Sequence, residues 1–429
     1  MFTNLNVVCR AHRFQNNIAV KACTRLSPAL SVHVPTEALE SRSFRASNVD
    51  FSFGSKPYPH SGLNSRKRKS TSCNFFRYPT AVNTLEKKTV VVVGGGIIGL
   101  STAQQLVEKG YPVVVVSKSK NAEETTSAVA AGFVFPYLLQ PVHTATPWVR
   151  LTLDHCRDPP AADLIHPIKA YVLHVAEKVQ GEPEWAGCGL NYRRLEDSEL
   201  LRLNAGRKGW FPFVDGFLVD TFCFNTGQYL KWLEEELCRR GALIIRQNLR
   251  SLKDLANIDA VPDSVSAVVN CTGVYARELV ADDQVRPIFG QVISLRPQAG
   301  IDTAYIIEDG TELMGGSAYV FPRPDKIICG GTAILDKWDE VPEAETTDGI
   351  ISRVQRLLPE LRVSRELVTE ERCGLRPSRR ALRLEVERGH ELGVPIVHSY
   401  GHGGSGWTVF RGAAAAAAAL VDSACRRAG

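Results

Sequence analysis

A run of valines that breaks into three glycines constrains the fold of this 429-residue chain more than any other feature. The segment from Thr89 to Val93 has the continuous apolar character of a buried parallel strand, and Gly94, Gly96 and Gly99 follow it. In this pattern the first glycine permits a tight turn, the second lets the backbone approach a phosphate, and the third lets the next helix pack closely on the strand. The sequence therefore predicts a turn and a helix N-terminus that bind the pyrophosphate of a dinucleotide.

The segment after the glycines completes a strand–helix–strand unit. Residues 100–109 have helical apolar spacing and end at Gly110, and residues 111–117 form a second valine-rich run. Such a unit is a right-handed βαβ crossover. At the end of its second strand, where an acidic residue usually binds the ribose, this chain has Ser117 and Lys118. We expect Ser117 to supply a hydrogen bond there.

Three later segments extend the same fold. The spacing over residues 229–240 predicts an amphipathic helix, and residues 242–246 and 265–270 are predicted strands. Seven consecutive alanines, Ala413 to Ala419, predict a close-packed terminal helix, because alanine has the highest helix propensity and little bulk.

The first 85 residues differ in composition from the rest. They hold twelve Lys or Arg against three acids, a net charge of +9, which leaves −4 of the whole-chain +5 for the remainder. A basic, Ser-rich, acid-poor segment without apolar periodicity predicts a disordered leader of the organelle-transit type. Segments 7–11 and 19–23 resemble plastid processing sites and favour the chloroplast over the mitochondrion. The C-terminal residues 426–429 lack a peroxisomal Ser-Lys-Leu ending.

The eleven cysteines are scattered, with no CxxC pair and no histidine at zinc-finger spacing. We expect reduced thiols and no structural metal. No uninterrupted apolar run approaches the length of a membrane helix, and the basic residues 66–69 fit a solvated segment better than a nucleic-acid patch. The expected partners therefore include neither membrane nor nucleic acid.

Four further segments point to one chemistry. They are Thr125–Tyr137, Val269–Tyr275, Gly374–Arg379 and Tyr400–Thr408. Together with the glycine turn, and in this order, they resemble the D-amino-acid oxidase family of FAD-dependent oxidases over about residues 88–424. The resemblance implies FAD as the cofactor. It implies cofactor contacts from Gly94, Gly96, Ile97, Ile98, Gly99, Ser117, Thr125, Thr126, Ala131, Gly132, Thr272, Gly273, Gly403, Gly404, Ser405, Gly406 and Thr408.

The resemblance also implies the substrate site. Arg376 would bind the substrate carboxylate, since a guanidinium forms a planar bidentate fork that a lysine does not. The Tyr319 hydroxyl would reach the same carboxylate, although the residue also fits as an ordinary strand aromatic. Tyr137 and the backbone carbonyl of Gly404 would complete the pocket. His402 we interpret as a structural donor within its glycine-rich turn rather than as a general base.

The chain departs from the family pattern at two positions. Many relatives carry a second tyrosine where this sequence has Gly315, so we expect a wider pocket. Where D-aspartate-specific relatives place an arginine, this chain has Ala333, which disfavours acidic substrates, although Arg323 remains a candidate for the pocket mouth.

These observations predict an α/β chain with a Rossmann-like FAD-binding domain, an inserted mixed-sheet substrate domain and the disordered leader. The predicted boundaries are 1–85 for the leader, 86–140, 229–285 and 366–429 for the FAD-binding parts, and 141–228 and 286–365 for the mainly substrate-binding parts. The implied reaction is oxidative deamination of neutral D-amino acids by hydride transfer to flavin N5, with O2 as acceptor and a possible homodimer as the assembly. A glycine- or sarcosine-type oxidase or dehydrogenase, and a non-catalytic flavin-binding sensor, stay open as alternatives.

Overall fold

Strands of two sheets and nine helices account for most of the chain that the computed structural model describes, residues 88–136, 142–205, 207 and 210–426. The predicted leader lies outside these residues. The strands are β1 (Thr89–Val93), β2 (Val113–Ser117), β3 (Ile165–His174), β4 (Asn191–Arg194), β5 (Asp215–Phe224), β6 (Leu243–Arg246), β7 (Val265–Asn270), β8 (Arg286–Leu295), β9 (Ala304–Ile307), β10 (Tyr319–Pro322), β11 (Ile327–Gly330), β12 (Ile334–Leu335), β13 (Val368–Ser378), β14 (Arg383–Glu387) and β15 (Ile396–Tyr400). The helices are α1 (Ile97–Glu108), α2 (Thr126–Val129), α3 (Val142–Arg157), α4 (Asp197–Asn204), α5 (Thr226–Arg239), α6 (Ala276–Leu279), α7 (Thr311–Met314), α8 (Ala344–Leu357) and α9 (Gly406–Arg426).

The first sheet has six strands in the order β14-β15-β7-β1-β2-β6. β1 pairs in parallel with both β2 and β7, and only the edge strand β14 runs antiparallel. Every residue of β1 is buried. Val90 and Val92 pack on the side of α1, and Val91 and Val93 pack on the other side in a cluster with Leu252 and Leu255. The predicted βαβ unit is confirmed, with α1 beginning at Ile97, immediately after the glycine turn, rather than at Leu100.

The terminal helix α9 packs against α1 and α3 on this sheet. Its alanine tract supplies the contact surface, since Ala413, Ala414, Ala417 and Ala418 are all fully buried. By length and composition alone α9 could also cross a membrane, but more than half of its apolar window is buried inside the protein. It is therefore accounted for as a core helix.

The second sheet has nine strands and carries the other half of the molecule. Its order is β12-β8-β11-β10-β9-β3-β5-β4, and β13 pairs with β8 along ten residue positions. The sequence assigns β13 to the FAD-binding part that begins at residue 366, whereas the strand belongs to this second sheet. Helix α3, placed with the mainly substrate-binding residues 141–228, packs on α9. Periodicity reveals that a strand or helix exists and does not reveal which layer it joins.

Seven of the described cysteines are free thiols: Cys156, Cys188, Cys223, Cys271, Cys329, Cys373 and Cys425. Within the described ranges no group of histidine, cysteine, aspartate or glutamate side chains is arranged to hold a metal ion.

Candidate active site

A cavity of about 620 Å³ is lined by residues from both sheets. Of the predicted cofactor contacts, fourteen line it: Gly94, Gly96, Ile97, Ile98, Ser117, Thr125, Thr126, Ala131, Gly132, Thr272, Gly273, Gly403, Gly404 and Gly406. Arg376 and Tyr319 line the same cavity. The fold thus brings the glycine turn and the two predicted substrate-binding side chains into one space.

The turn after β1 is built so that only glycine fits. Gly94 has φ of 124°, and a Cβ there would overlap the carbonyl oxygen of Cys271 on the neighbouring strand end. A Cβ at Gly99 would overlap the carbonyl oxygen of Gly94, so this glycine permits the close packing of α1 and does not itself line the cavity. The first N–H of α1, on Ile97, donates to the Ser127 hydroxyl at 3.1 Å.

The strand ends around this turn carry a charged and aromatic cluster. The Lys118 ammonium lies 3.1 Å from the centre of the Tyr275 ring, and the Tyr275 hydroxyl donates to Glu340 at 3.0 Å. Burial lowers the pKa of Lys118 and is opposed by the nearby charge of Glu340. All three residues line the cavity, and Lys118 follows the last residue of β2, where an acidic residue is usual.

A buried hydrogen-bond chain fixes the Thr272 turn. The Asn270 side-chain oxygen accepts from the Thr272 N–H at 3.2 Å and from its hydroxyl at 2.7 Å. The Asn270 amide contacts His398 Nδ1 at 3.3 Å, and His398 Nε2 contacts Glu387 at 2.9 Å. Burial lowers the pKa of His398, and the hydrogen bond with Glu387 opposes that shift. The neutral ring therefore accepts from Asn270 and donates to Glu387, which orients the amide.

The glycine-rich turn before α9 faces the cavity beside Arg376. The Gly403 N–H donates to the carbonyl oxygen of Pro377 at 2.9 Å, which ties this turn to β13. His402 is buried, and its Nε2 has no hydrogen-bond partner within the described structure although the residue lines the cavity. Burial lowers the pKa of His402 to about 4, so the ring is neutral near pH 7 and is a poor base.

Arg376 and Tyr319 reach the cavity from different strands. Arg376 lies in β13 opposite Ile288 of β8, and its Nη1 donates to the carbonyl oxygen of Thr332 at 2.9 Å. Within the described residues its guanidinium forms no ion pair. Tyr319 begins β10, and its ring stacks on Phe321 with ring centres 4.8 Å apart. The guanidinium therefore keeps donors available for an anion in a cavity bordered by aromatic rings.

Three glycines make room for these two side chains. A Cβ at Gly290 would overlap the Arg376 guanidinium, and a Cβ at Gly330 would overlap the Tyr319 phenol ring. A Cβ at Gly331 would lie 2.7 Å from the Tyr319 hydroxyl. The functional side chains thus rest directly on bare backbone.

Some predicted positions have other roles. Ser405 and Thr408 are buried and do not line the cavity; the Thr408 hydroxyl donates to the carbonyl oxygen of Phe135 at 2.7 Å. Tyr137 lies outside the described residues. Arg323 is not at the pocket mouth: its guanidinium is buried, pairs with Asp325 at 3.0 Å and does not line the cavity. The identity of Arg323 alone does not reveal that its guanidinium forms an ion pair with a nearby carboxylate.

The sequence analysis missed several site residues. Ser127 and Tyr275 lie within the recognised segments Thr125–Tyr137 and Val269–Tyr275, but no role was assigned to their hydroxyls. Gly290 had no local signal, because its neighbour Arg376 comes from a strand more than eighty residues later. Arg353 did have a local sequence signal. It falls between Ile350 and Val354 on the buried face of α8, where a charged residue is unexpected.

Comparison with known proteins shows which family the chain belongs to. The family model described as "FAD dependent oxidoreductase" matches residues 89–420. The chain belongs to this family. The FAD-dependent oxidoreductase fold is also that of glycine oxidase from Geobacillus kaustophilus, with a TM-score of 0.61 and 18% identity over 79% of this chain and 95% of that one.

Two curated relatives cover the same region. A D-amino-acid oxidase of Rubrobacter xylanophilus is 36% identical over 338 residues, which is 78% of this chain and 96% of that protein. A D-aspartate oxidase of Homo sapiens is 31% identical over 350 residues, 79% of this chain and 96% of that protein.

The residues of the cavity fit FAD, the cofactor of the family. The turn at Gly94 leaves no room for a side chain, and its N–H groups and the start of α1 suit a pyrophosphate. His402 Nε2, which has no hydrogen-bond partner among the residues that the structure describes, is a buried polar atom of the kind that a bound ligand satisfies. FAD would thus be held by the glycine turn, Ser117, the Thr125–Thr126 and Thr272 segments, and the turn at residues 402–406.

Proposed function

We propose that this chain oxidises neutral D-amino acids, consuming O2 and water and forming a 2-oxo acid, ammonia and hydrogen peroxide. The observation that carries the proposal is the shared cavity: Arg376 and Tyr319 face the same space as the glycine turn that suits the cofactor pyrophosphate. Two relatives named D-amino-acid oxidase, at 36% and 37% identity, support the handedness of the substrate.

The chain's own residues supply binding and orientation. The Arg376 fork holds the substrate carboxylate in two parallel hydrogen bonds, and the Tyr319 hydroxyl reaches the same group. The glycine turn and the turn at residues 402–406 would hold FAD, which would supply an acceptor for the hydride of the substrate Cα and a route for its electrons to O2. Holding the substrate in one orientation would account for much of the rate enhancement, because orientation removes a large entropic part of the activation barrier.

The proposed preference for neutral substrates rests on where the cationic side chains of the cavity lie and on an apolar wall near Tyr319. Arg376 shares the cavity lining with two other cations, Lys118 and Arg250, and both follow strand ends on the dinucleotide side. Phe133 and Phe321 stack with ring centres 4.5 Å apart and present an apolar wall near Tyr319. A second carboxylate on the substrate would be desolvated there without a partner.

A substrate panel tests the proposal. The purified full chain is loaded with FAD and mixed anaerobically with D-alanine, D-phenylalanine, D-aspartate, glycine or sarcosine, and the flavin absorbance is followed; peroxide is then measured in air. We expect the neutral D-amino acids to bleach the flavin fastest. Bleaching by glycine or sarcosine but not by D-alanine would contradict the proposal in favour of the amine-oxidase alternative, and no bleaching by any of them would favour a flavin-binding sensor.

Two expectations concern the protein in its cell. We propose that residues 1–85 direct import into an organelle, with the chloroplast preferred, and that the protein forms a homodimer. Fusing residues 1–85 to a fluorescent protein tests the first, and a cytosolic signal would contradict it. Light scattering on the purified chain tests the second through the molar mass.

A further inference from the structure

We propose that Arg353 is a positioning residue of the substrate site, which holds the segment leading to Tyr319 and places a second positive charge behind the carboxylate clamp. This inference rests on the proposed function in one respect, that the substrate carries a carboxylate.

Arg353 contacts three carbonyl groups around the cavity. From α8 its Nε donates to Ser317 at 3.0 Å, its Nη1 to Gly315 at 3.1 Å and its Nη2 to Gly331 at 3.1 Å. The Gly331 N–H donates back to the Ser317 carbonyl at 3.1 Å. One guanidinium therefore joins the segment just before β10 to the residue just after β11.

Both joined segments determine where the Tyr319 hydroxyl lies. Ser317 lines the cavity and precedes Tyr319 by two residues, so its carbonyl sets the path of the chain into β10. The phenol ring lies against Gly330, and its hydroxyl against Gly331. Loosening the link to Arg353 would let the hydroxyl and the surface beneath it move independently.

The charge of Arg353 has no counterion in the described structure. The side chain is only 9% exposed, and its described hydrogen bonds go to neutral carbonyls. Burial lowers the pKa of this guanidinium. A buried cation without a partner is costly, and an anion bound between Tyr319 and Arg376 offsets that cost. The positive potential at the clamp thus has two sources.

The test compares R353M and R353K with R356M, an exposed arginine on the same helix. Three quantities are measured on each FAD-loaded full chain: bound FAD per chain, the dissociation constant of benzoate from the change in flavin absorbance, and KM and kcat for D-alanine. We expect R353M to keep its FAD while the benzoate dissociation constant and the KM rise about tenfold or more, the loss of one charged hydrogen-bonding partner, with a smaller change in kcat. R353K keeps the charge without the fork and is expected to fall between R353M and the unmodified chain, whereas R356M is unchanged.

Two results would overturn the inference. One is R353M with full FAD and an unaltered benzoate dissociation constant. The other is equal loss of FAD and benzoate binding in R353M and R353K, which is the behaviour of a residue needed only for folding. Should R353M fail to fold, R353K decides, because a dissociation constant like that of the unmodified chain contradicts the need for the fork. Benzoate binding requires no turnover, so it tests the role of Arg353 alone. Peroxide formation tests the oxidase reaction.

Discussion

The cofactor end and the substrate end of the cavity are built in different ways. At the cofactor end, backbone turns that follow directly on strands β1, β7 and β15 line the cavity. At the substrate end, side chains from β10, β13 and α8 converge from positions far apart in the sequence. The first design depends on local conformation and the second on the register between strands.

Glycine shows the contrast most clearly. Gly94 and Gly99 leave room for a turn, a packed helix and a phosphate. Gly290 and Gly330 instead leave room for the protein's own Arg376 and Tyr319. The same absence of a Cβ thus admits a ligand at one end and positions the groups that bind a ligand at the other.

The largest effect is expected from removing the clamp at the substrate end. In R376A, kcat/KM for D-alanine should fall about a thousandfold, because truncating a charged hydrogen-bonding partner of a buried anion costs several kcal/mol. Bound FAD per chain should not change, since the cofactor end is untouched. A variant that loses FAD together with activity would show that the two ends are not separable.

The converse change is G94A. We expect FAD to bind about a hundredfold more weakly, because the new Cβ would overlap Cys271 and the backbone has φ of 124°. The control is G110A, where φ is also positive but no atom lies within 4 Å of a new Cβ. Fluorescence titration with FAD measures both. Equal losses in the two variants would mean that backbone strain, and not the close approach, is responsible.

A pH-dependent effect is expected at His174, the last residue of β3 in the second sheet. Burial lowers the pKa of His174, but the carboxylates of Glu308 and Asp309, 3.4 and 3.5 Å from its ring nitrogens, outweigh that effect and raise the pKa to about 9. A raised folded-state pKa gives stability that is complete below the unfolded value of 6.5 and is lost as the pH rises through 9. The free energy of unfolding should therefore fall by about 2 kcal/mol between pH 7 and 9 through this group. Urea unfolding of H174Q should lack this part of the slope; an unchanged slope would contradict the assignment.

The smallest effect is expected from G290A. The new methyl group would displace the end of the flexible Arg376 side chain rather than backbone, so KM for D-alanine should rise about tenfold with FAD binding unaltered. Steady-state kinetics and an FAD titration on the same preparation measure the KM and the FAD affinity. A KM like that of the unmodified chain would show that the guanidinium has room to adjust.

Much of the cofactor end was predictable from the sequence, and the reason is local. The valine run, the glycine spacing and the alanine tract each report on a few consecutive residues, and the structure has β1, α1 and α9 at those places. Arg376 was predicted through a motif of six residues. The prediction that Arg323 lies at the pocket mouth was wrong, because its ion pair with Asp325 and its burial depend on how the sheet packs.

By itself, then, the sequence determined the dinucleotide turn, the family and the motif that carries the cavity-lining Arg376, since short-range patterns encode backbone conformation. Tertiary structure alone decided that β13 joins the second sheet, that Gly290 and Gly330 face Arg376 and Tyr319, and that Arg353 spans two segments behind them. These contacts join residues separated by dozens of positions. They exist only after the strands have paired in register, and that pairing depends on several strands packing together rather than on any one segment.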